Sequence, residues 1–470
     1  MKFSLIVGSI FSLLFFSNLT PQTKEPDWRR IEEETMRHFQ ALIRIDTSDP
    51  PGNEAPAVEY LKSVLEREGI ETRTFALDPK RPNLVARIRG TGKKRPVLVM
   101  GHTDVVNVDP TKWTYPPFSA TRNGGYVYGR GAVDDKDNLV AGLMVMLLLK
   151  RLQIPLDRDV IFLAEAGEEG SVRFGIDFMV NQHWKEIDAE YCFAEGGGVV
   201  RTLGKVRYAE VETSEKIPYA VKLIARGPSG HGSVPLRSNA ILHLAQAVAR
   251  VAAYQTPMRL NETTSSFLER LAAISAPEEA TRYKNLLIGK ELESVQEYYA
   301  VNNPRIHSML RTSISPNIIK GGYRVNVIPS EAEATLDIRA LPDEDFPKLL
   351  EQLRQVINDP AVEVVKVERD TRPGAKPSRL DSEAFRLIEE SIKRLYDVTT
   401  LPVMSTGATD MAYLRAHGMD CYGIGPMVDS EDGPKGFGAH SDQERILEDA
   451  LFKFVRFHWE IVVNLSGTVH

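Results

Sequence analysis

The sequence predicts an α/β fold in which a mostly parallel central sheet is interrupted by a smaller inserted unit. Four short apolar runs are continuous rather than alternating, which is typical of strands buried on both faces. They lie at residues 83–88, 97–100, 160–164 and 191–194. An apolar helical stretch at 138–152 separates two of these runs, so strand, helix and strand follow one another as in a layered α/β fold.

The stretches at the two ends of the chain fit the same α/β unit. Apolar side chains recur at helical spacing between residues 28 and 69, and a turn at 48–52 divides this stretch into two helices. Towards the C-terminus we expect, in order, a helix at 382–395, a strand near 421–424 and a final helix at 442–461. Ser441 and Glu444 have the spacing of a capping box at the start of this last helix.

The inserted unit begins near Ile217, where the pattern changes. It predicts a strand at 219–225, a helix at 239–254, a hairpin-like pair at 323–328 and 333–339, a helix at 346–356 and a strand at 362–368. This βαββαβ order is typical of a ferredoxin-like domain. A polar, mostly helical insertion at 257–312 interrupts it. We therefore expect one α/β domain formed by 27–216 and 373–470, with the second domain at 217–372.

Composition excludes several classes of protein. The chain has 470 residues and a net charge of −6, which disfavours a nucleic-acid binder because such proteins usually carry a basic surface. Two cysteines are too few for a disulfide framework or a thiolate-rich metal site. We expect Cys192 and Cys421 to be free buried thiols, although a disulfide between them stays open. Histidines and carboxylates remain as candidate metal ligands.

The N-terminus has the order of a secretory signal peptide. Lys2 precedes an apolar stretch at 3–16, and polar residues and Pro21 follow. The apolar stretch is shorter than the ~20 residues that span a bilayer. We therefore expect a signal peptide at 1–22, a secreted or periplasmic protein and no stable membrane span after cleavage. An uncleaved membrane anchor is the alternative.

Chemically reactive side chains follow three of the predicted strands. His102 and Asp104 come after the run at 97–100, and a carboxylate there can receive the proton of one imidazole nitrogen while the other binds a metal. Glu168 and Glu169 follow the run at 160–164, and Glu195 follows the run at 191–194. Taken singly, each has a structural explanation, such as a solvated acidic loop.

Two further positions complete the set. Asp134 stands where a dinucleotide-binding fingerprint needs its third glycine, which disfavours nucleotide binding, and it leaves a helix cap as the structural alternative. His440 precedes the final helix and by itself reads as a surface histidine. Together, however, these groups lie where ligands bind in open α/β sheets, at the carboxyl edge. Histidine and carboxylate ligands suit zinc.

With these motifs in this order, the sequence resembles the zinc-dependent aminoacylase/carboxypeptidase family. The family includes acetylornithine deacetylase, succinyl-diaminopimelate desuccinylase, aminoacylase, glutamate carboxypeptidase and secreted N-acyl-amino-acid hydrolases. The resemblance covers nearly everything after the signal segment. It implies two zinc ions per subunit, for which cobalt or manganese can substitute. The first would be held by His102, Asp134 and Glu195, and the second by Asp134, Glu169 and His440.

The resemblance also implies roles for other residues. Glu168 would be the general base, and Asp104 would be the catalytic partner of His102. The inserted domain would be a lid and dimerisation domain, whose His231 steadies the oxyanion in a partner subunit's active site. The substrate-binding residues would be Asn326, Arg339 and Gly407. Two departures from the family's pattern are the aspartate at position 137, where glycine is common, and the long insertion 257–312.

The expected function is hydrolysis of an amide bond next to a free carboxylate by metal-activated water. A peptidase of the carboxypeptidase or dipeptidase type is the first interpretation, and an N-acyl-amino-acid amidohydrolase is the alternative. A non-catalytic metal-containing binding protein is a third reading. A serine hydrolase is disfavoured because the sequence has no Gly-x-Ser-x-Gly motif. The partners would be a small peptide or N-acyl amino acid and a second copy of the chain, bound through the lid.

Overall fold

The structure is a computed structural model that describes residues 26–368 and 372–468. The predicted signal peptide at 1–22 lies outside the described residues. Across the described ranges, no helix is both long enough and apolar enough to cross a bilayer.

The elements are numbered in chain order. The α-helices α1 to α13 are Trp28–Ile43, Ala55–Arg67, Lys136–Leu152, Ile176–Ile187, Ala240–Ala253, Glu262–Ile274, Pro277–Ile288, Leu292–Asn302, Pro304–Met309, Phe346–Ile357, Glu383–Tyr396, Met411–Ala416 and Glu448–Ser466. The strands β1 to β21 are Ser48–Asp49, Glu71–Phe75, Asn83–Ile88, Val97–His102, Val105–Val106, Thr121–Asn123, Tyr126–Tyr128, Val160–Glu165, Tyr191–Ala194, Gly198–Thr202, Lys205–Glu215, Ile217–Arg226, Gly230–His231, Ser313–Gly321, Val327–Ile328, Glu331–Ala340, Val362–Lys366, Thr400–Ser405, Asp420–Gly423, Met427–Asp429 and Arg445–Leu447.

The centre of the molecule is a ten-stranded sheet. Its order is β2-β3-β8-β4-β9-β19-β11-β10-β20, and β18 pairs with β11. The central strands β8, β4, β9 and β19 run parallel to one another, whereas β2, β3 and part of the far side are antiparallel. This confirms the predicted α/β fold with a mostly parallel sheet. The four apolar runs are β3, β4, β8 and β9.

Helices cover both faces of this sheet, which explains the continuous apolar runs. On one face, α1, α2, α3, α11 and α13 enclose the larger core. On the other face, α4 and α12 enclose a smaller core with the opposite side chains of the same strands. Every residue of α3 from Lys136 to Leu149 is buried, because this helix lies between the sheet and α1 and α13.

The inserted unit forms a separate four-stranded antiparallel sheet. Its order is β14-β16-β12-β17, and α5 and α10 pack on one face. Along the chain the elements follow the predicted βαββαβ order. The predicted partner of β16 was wrong: β16 pairs with β14, and the stretch at 323–328 contributes only β15, which pairs with β13. The strand β14 is an exposed edge with a register shift near Pro316, so it lacks the apolar pattern that identifies a buried strand.

The helical insertion packs on the large sheet. The helices α6 to α9 share one hydrophobic core with Leu401, Val403 and Met404 of β18. Phe267 and Leu268 of α6 lie in this core. The insertion therefore contacts the α/β unit although it lies within the inserted unit in sequence.

The predicted capping box of the last helix was wrong. Helix α13 begins at Glu448, and β21 precedes it. The Ser441 hydroxyl donates to the Gly438 carbonyl at 2.6 Å. Glu444 is fully buried and accepts hydrogen bonds from Arg130 Nη1 at 2.7 Å and from the Val133 amide at 2.9 Å. Arg130 is buried and would be strongly destabilising without a carboxylate partner. Pairing Glu444 with Arg130 therefore stabilises the protein more than a hydrogen bond from Glu444 at a helix cap would.

Candidate metal centre

The carboxyl ends of three parallel strands meet at one edge of the large sheet. Strand β4 ends at His102, which is the register partner of Glu165 at the end of β8. Strand β9 ends at Ala194, directly before Glu195. Asp134 lies just before α3, and His440 lies in the loop before β21. The sheet topology thus brings together side chains that are far apart in sequence.

The first group of candidate ligands is formed by His102, Asp134 and Glu195, whose ligand atoms lie within 4.8 Å of one another. His102 Nε2 lies 3.0 Å from Asp134 Oδ1 and 3.9 Å from Glu195 Oε2. His102 is buried at the strand end, which fixes its ring at the bottom of the site.

The second group shares Asp134 with the first and adds Glu169 and His440. His440 Nε2 lies 3.0 Å from Asp134 Oδ2 and 2.8 Å from Glu169 Oε1. The two oxygens of Asp134 therefore face one histidine each. These are the two sets of residues that the sequence resemblance implies, and one carboxylate belongs to both.

The carboxylates of the site are crowded and largely, although not fully, buried: the side chains of Asp134 and Glu195 are 17% and 23% exposed. Burial, together with the neighbouring carboxylate of Glu168, raises the pKa of Glu195 well above its usual range. Burial likewise raises the pKa of Asp135 to about 7. Burial opposes ionisation of Asp134 as well, but hydrogen bonds from His102 and His440 lower the pKa of this bridging group. Such a set of buried carboxylates is stable only with added positive charge.

The donor chemistry fits two divalent metal ions. Two imidazole nitrogens and three carboxylates offer nitrogen and oxygen ligands, which zinc and similar ions accept. Hydrogen bonds that the His440 ring donates to Asp134 and Glu169 raise the pKa of His440 to about 10, so a proton on this ring supplies charge that a metal would otherwise provide. Metal ions would take the place of such protons.

Asp104 organises the loop that carries the two glutamates. Its Oδ1 accepts the amides of Gly167 at 2.8 Å and Glu168 at 3.2 Å, and its Oδ2 accepts the amide of Glu169 at 2.9 Å. His102 Nδ1 lies 3.0 Å from the Asp104 backbone carbonyl and 3.6 Å from its carboxylate. Sequence reasoning identified Asp104 but missed its bonds to the loop, because they connect segments more than sixty residues apart.

Glu168 lies beside the two ligand groups and belongs to neither of those found among the described residues. Its carboxylate is paired with Arg372 Nη2, and Arg372 also lies 3.3 Å from Asp410 Oδ1. Burial, only partly offset by the Arg372 charge, raises the pKa of Glu168 well above its usual range. Sequence reasoning missed Arg372, which lies in a segment without any motif, and Asp410, which lies three residues after Gly407.

The residues predicted to contact substrate have other partners than the metal-ligand candidates. His231 pairs with Val327 in the β13–β15 ladder, and the Gly232 amide donates to the Asn326 carbonyl at 2.9 Å, so His231 and Asn326 share one small loop region. Arg339 Nε donates to Asp337 Oδ2 at 3.1 Å. Within residues 26–368 and 372–468, none of these three side chains forms a hydrogen bond or ion pair with the metal-ligand candidates.

Gly407 follows β18, and its amide donates to the Ser405 hydroxyl at 3.1 Å. A third acidic group, formed by Asp49, Glu54 and Asp104, resembles a metal site by distance alone. Arg81 pairs with Asp49 and lies 2.6 Å from Glu54, so an arginine already supplies the positive charge there. The two cysteines, register partners on β9 and β19, are free and buried.

The structure combines a largely parallel α/β sheet with two groups of candidate metal ligands at its carboxyl edge and a further glutamate beside them. This arrangement is typical of a metal-dependent hydrolase. The chain belongs to Peptidase family M20/M25/M40, whose model matches residues 98–464. It is thus an M20 metallopeptidase or amidohydrolase.

Several relatives are similar along most of the chain. The human N-fatty-acyl-amino acid synthase/hydrolase PM20D1 is 28% identical over 385 residues, which cover 79% of this chain and 74% of that protein. A probable carboxypeptidase S-like 2 of Dictyostelium discoideum is 29% identical over 79% of this chain and 72% of its own length. A probable succinyl-diaminopimelate desuccinylase of Staphylococcus aureus is 26% identical over 90% of this chain and 95% of its own length.

A solved structure has the same fold. The M20 family metallo-carboxypeptidase Sso-CP2 from Sulfolobus solfataricus superimposes with a TM-score of 0.67 at 21% identity. The match covers 91% of this chain and 98% of that one.

Proposed function

We propose that this protein hydrolyses an amide bond next to a free carboxylate, with two zinc ions held by the two ligand groups. His102, Asp134 and Glu195 would hold one ion, and Asp134, Glu169 and His440 the other. The observation that carries the proposal is that both groups share Asp134 while Glu168 stays outside them. When bound, the ions would polarise the carbonyl and activate water as Lewis acids.

Glu168 is the proposed general base. It would take a proton from the attacking water and deliver it to the leaving nitrogen, which requires a carboxylate that is free of metal. Arg372 holds this carboxylate in place from one side. Asp104 is a positioning residue, because it binds the backbone of the Glu168 loop.

A homodimer is part of the proposal. His231 is exposed in the protomer, where its Nδ1 lies 2.7 Å from the Ser233 hydroxyl. The edge strand β14 presents Ile318 and Ile319, which are 49% and 64% exposed, on an unpaired sheet edge. Such an edge readily pairs with another chain. In the dimer, His231 would donate a hydrogen bond to the oxyanion in the active site of the other subunit.

The substrate would carry a free carboxylate that Arg339 binds with two parallel hydrogen bonds. Asn326 and Gly407 would contact the rest of the substrate. A peptidase of the carboxypeptidase or dipeptidase type is the first candidate, in keeping with the carboxypeptidase S-like relative. An N-acyl-amino-acid amidohydrolase is the second, in keeping with the relative that hydrolyses N-fatty-acyl amino acids. We place the reaction outside the cytosol, because the first 22 residues have the order of a signal peptide.

The experiment is a metal and substrate survey of the mature chain. The purified protein is analysed for bound metal, stripped with a chelator and reloaded separately with Zn²⁺, Co²⁺ or Mn²⁺. Each form is assayed against dipeptides and N-acyl amino acids. We expect about two metal ions per chain, loss of activity on stripping and recovery on reloading. Full activity of the stripped protein would disprove the metal mechanism, and a fully loaded protein without turnover would favour a binding protein.

A further inference from the structure

A cavity of about 350 Å³ opens directly beside the candidate ligands. Asp134 and Glu195 form part of its wall, and Phe437, Gly438 and Ala439 connect it to the loop of His440. A group bound in this cavity would therefore lie next to the reacting bond. None of the residues predicted to contact substrate belongs to its wall.

Most of the wall is apolar. Side chains from four separate segments contribute to it, among them Val133, Ile424, Met427, Phe437 and Leu447. Asn138 lies in the wall as well, where its amide donates to Asp135. Apolar walls with a few placed polar groups are characteristic of small-molecule sites, which usually have volumes of about 300–1,000 Å³.

The charged side chains of the wall that lie outside the metal site are already paired. Asp429 lies 2.5 Å from Arg201 Nε and accepts the Tyr126 hydroxyl at 2.9 Å. Asp432 lies 2.7 Å from Arg445 Nη2. The Arg445 guanidinium also lies over aromatic rings, with its carbon 3.9 Å from the centre of the Tyr126 ring and 4.0 Å from that of Phe437.

Because these aspartates are paired, the cavity favours uncharged groups over a positively charged one. The N-terminal ammonium group of a peptide loses its hydration when it is buried, which is costly unless a free carboxylate receives it. In this wall both aspartates outside the metal site already have an arginine partner. An uncharged apolar group needs no such partner and gains free energy by leaving water.

We propose that this cavity binds the acyl group of an N-acyl amino acid and that the acyl group is an apolar chain or ring. The inference rests on the proposed amide hydrolysis and selects its substrate class. A water molecule takes about 30 Å³ of liquid volume, so the cavity holds roughly ten groups of that size. This corresponds to an acyl chain of about eight to ten carbon atoms.

The test is a chain-length series on one amino acid. The metal-loaded protein is assayed with N-acetyl-, N-butanoyl-, N-hexanoyl-, N-octanoyl- and N-decanoyl-phenylalanine and with the dipeptide alanyl-phenylalanine. Each added methylene should raise kcat/KM about three- to four-fold until the cavity is full. The dipeptide should be a poor substrate. A flat series, or a dipeptide that is hydrolysed faster than the octanoyl compound, would overturn the inference.

Two substitutions test the cavity directly. Gly433 is an exposed residue of the wall, and a Cβ there meets no atom within 4 Å, so Gly433→Leu adds an apolar side chain at the rim of the cavity without a clash. It should lower the octanoyl-to-acetyl ratio of kcat/KM at least ten-fold. The matched control is Ala273→Leu, which adds the same side chain at an exposed position on α6 and should leave the ratio unchanged. Equal ratios in both variants would contradict the assignment.

The second substitution is Arg201→Met, which removes the partner of Asp429 without altering the wall itself. A freed carboxylate should lower kcat/KM for the octanoyl substrate and raise it for alanyl-phenylalanine. A merely structural role of Arg201 would lower both values together, and that result would refute the argument from charge pairing.

A binding measurement separates this inference from the proposed function. Titration calorimetry with N-octanoyl-phenylalanine and N-acetyl-phenylalanine is performed on the wild type and on Gly433→Leu. Tighter binding of the octanoyl compound, lost in the variant, supports the cavity even if no substrate is hydrolysed, and the proposed hydrolysis alone would then be wrong. Hydrolysis without any preference in binding or turnover would refute the cavity assignment alone.

Discussion

The bonds of Asp104 lead to a prediction whose size follows from the structure. In Asp104→Asn, the remaining carbonyl oxygen can still accept the amides of Gly167 and Glu168. The new NH₂ group would face the Glu169 amide, which the carboxylate oxygen now accepts at 2.9 Å. One charge-assisted hydrogen bond is lost, and a buried donor is left without an acceptor.

These two losses together amount to about 2–4 kcal/mol. If this free energy is lost from the active conformation of the loop that carries Glu168 and Glu169, kcat/KM falls by about 30- to 1,000-fold. Because Glu169 is a proposed ligand, the affinity of the second metal site should fall as well. The assay is therefore kcat/KM at saturating metal, combined with a metal titration of the stripped protein.

The control for this substitution is Asp109→Asn. Asp109 is exposed, and its carboxylate accepts the Thr111 amide at 3.1 Å in a surface turn. This variant should keep normal turnover and metal affinity. If Asp104→Asn behaved like the control in both measurements, the loop would not depend on Asp104 and the reasoning would be wrong.

Three further predictions concern catalysis, assembly and pH. Glu168→Gln should retain both metal ions, measured by metal analysis, and lose about 10²- to 10⁴-fold in kcat because the base is gone; near-normal turnover would contradict the role. If His231 acts across a dimer, inactive Glu168→Gln and His231→Ala chains that are mixed and refolded together should recover about a quarter of wild-type activity. Half of the dimers are then mixed, and each mixed dimer has one intact site out of two. No recovery in a mixed dimer would place His231 elsewhere. Burial lowers the pKa of His458 to about 4, whereas its value in the unfolded chain is 6.5. As the pH falls, the unfolded chain therefore binds a proton before the folded one does. The free energy of unfolding should decrease by up to about 3 kcal/mol between pH 6.5 and pH 4. Urea unfolding should show a shallower pH dependence for His458→Gln, and an unchanged slope would argue against this histidine as the cause.

Local patterns predicted the elements that are buried most completely. The runs at 83–88 and 191–194 match β3 and β9, because a strand between two helical layers needs apolar side chains on both faces. The edge strand β14 was missed for the opposite reason. It is exposed along most of its length, so burial imposes no pattern on its sequence.

The position of reactive residues after strands predicted where the site would form. Parallel strands end at a common edge, so His102 and Glu195 had to approach each other once both strands were recognised. The choice of ligands among the available acids came from the resemblance. The acidic group beside Arg81 illustrates why spacing alone is insufficient, since a carboxylate cluster is a metal candidate only where no cation already compensates it.

Local sequence patterns were sufficient to predict the α/β class, the strands of the buried sheet and the residues at its carboxyl edge, because each of these depends on neighbours in the chain. Which charges are compensated depends instead on the folded chain, because the partners come from distant segments. Arg372 reaches Glu168, Arg130 reaches Glu444 and Arg201 reaches Asp429 across 204, 314 and 228 residues, respectively. Electrostatic energy depends on the distance between two charges in the folded protein and on their burial. The cation that folding places beside an acidic residue therefore decides whether that residue is a candidate metal ligand, a candidate base or a charge-compensated part of the cavity wall.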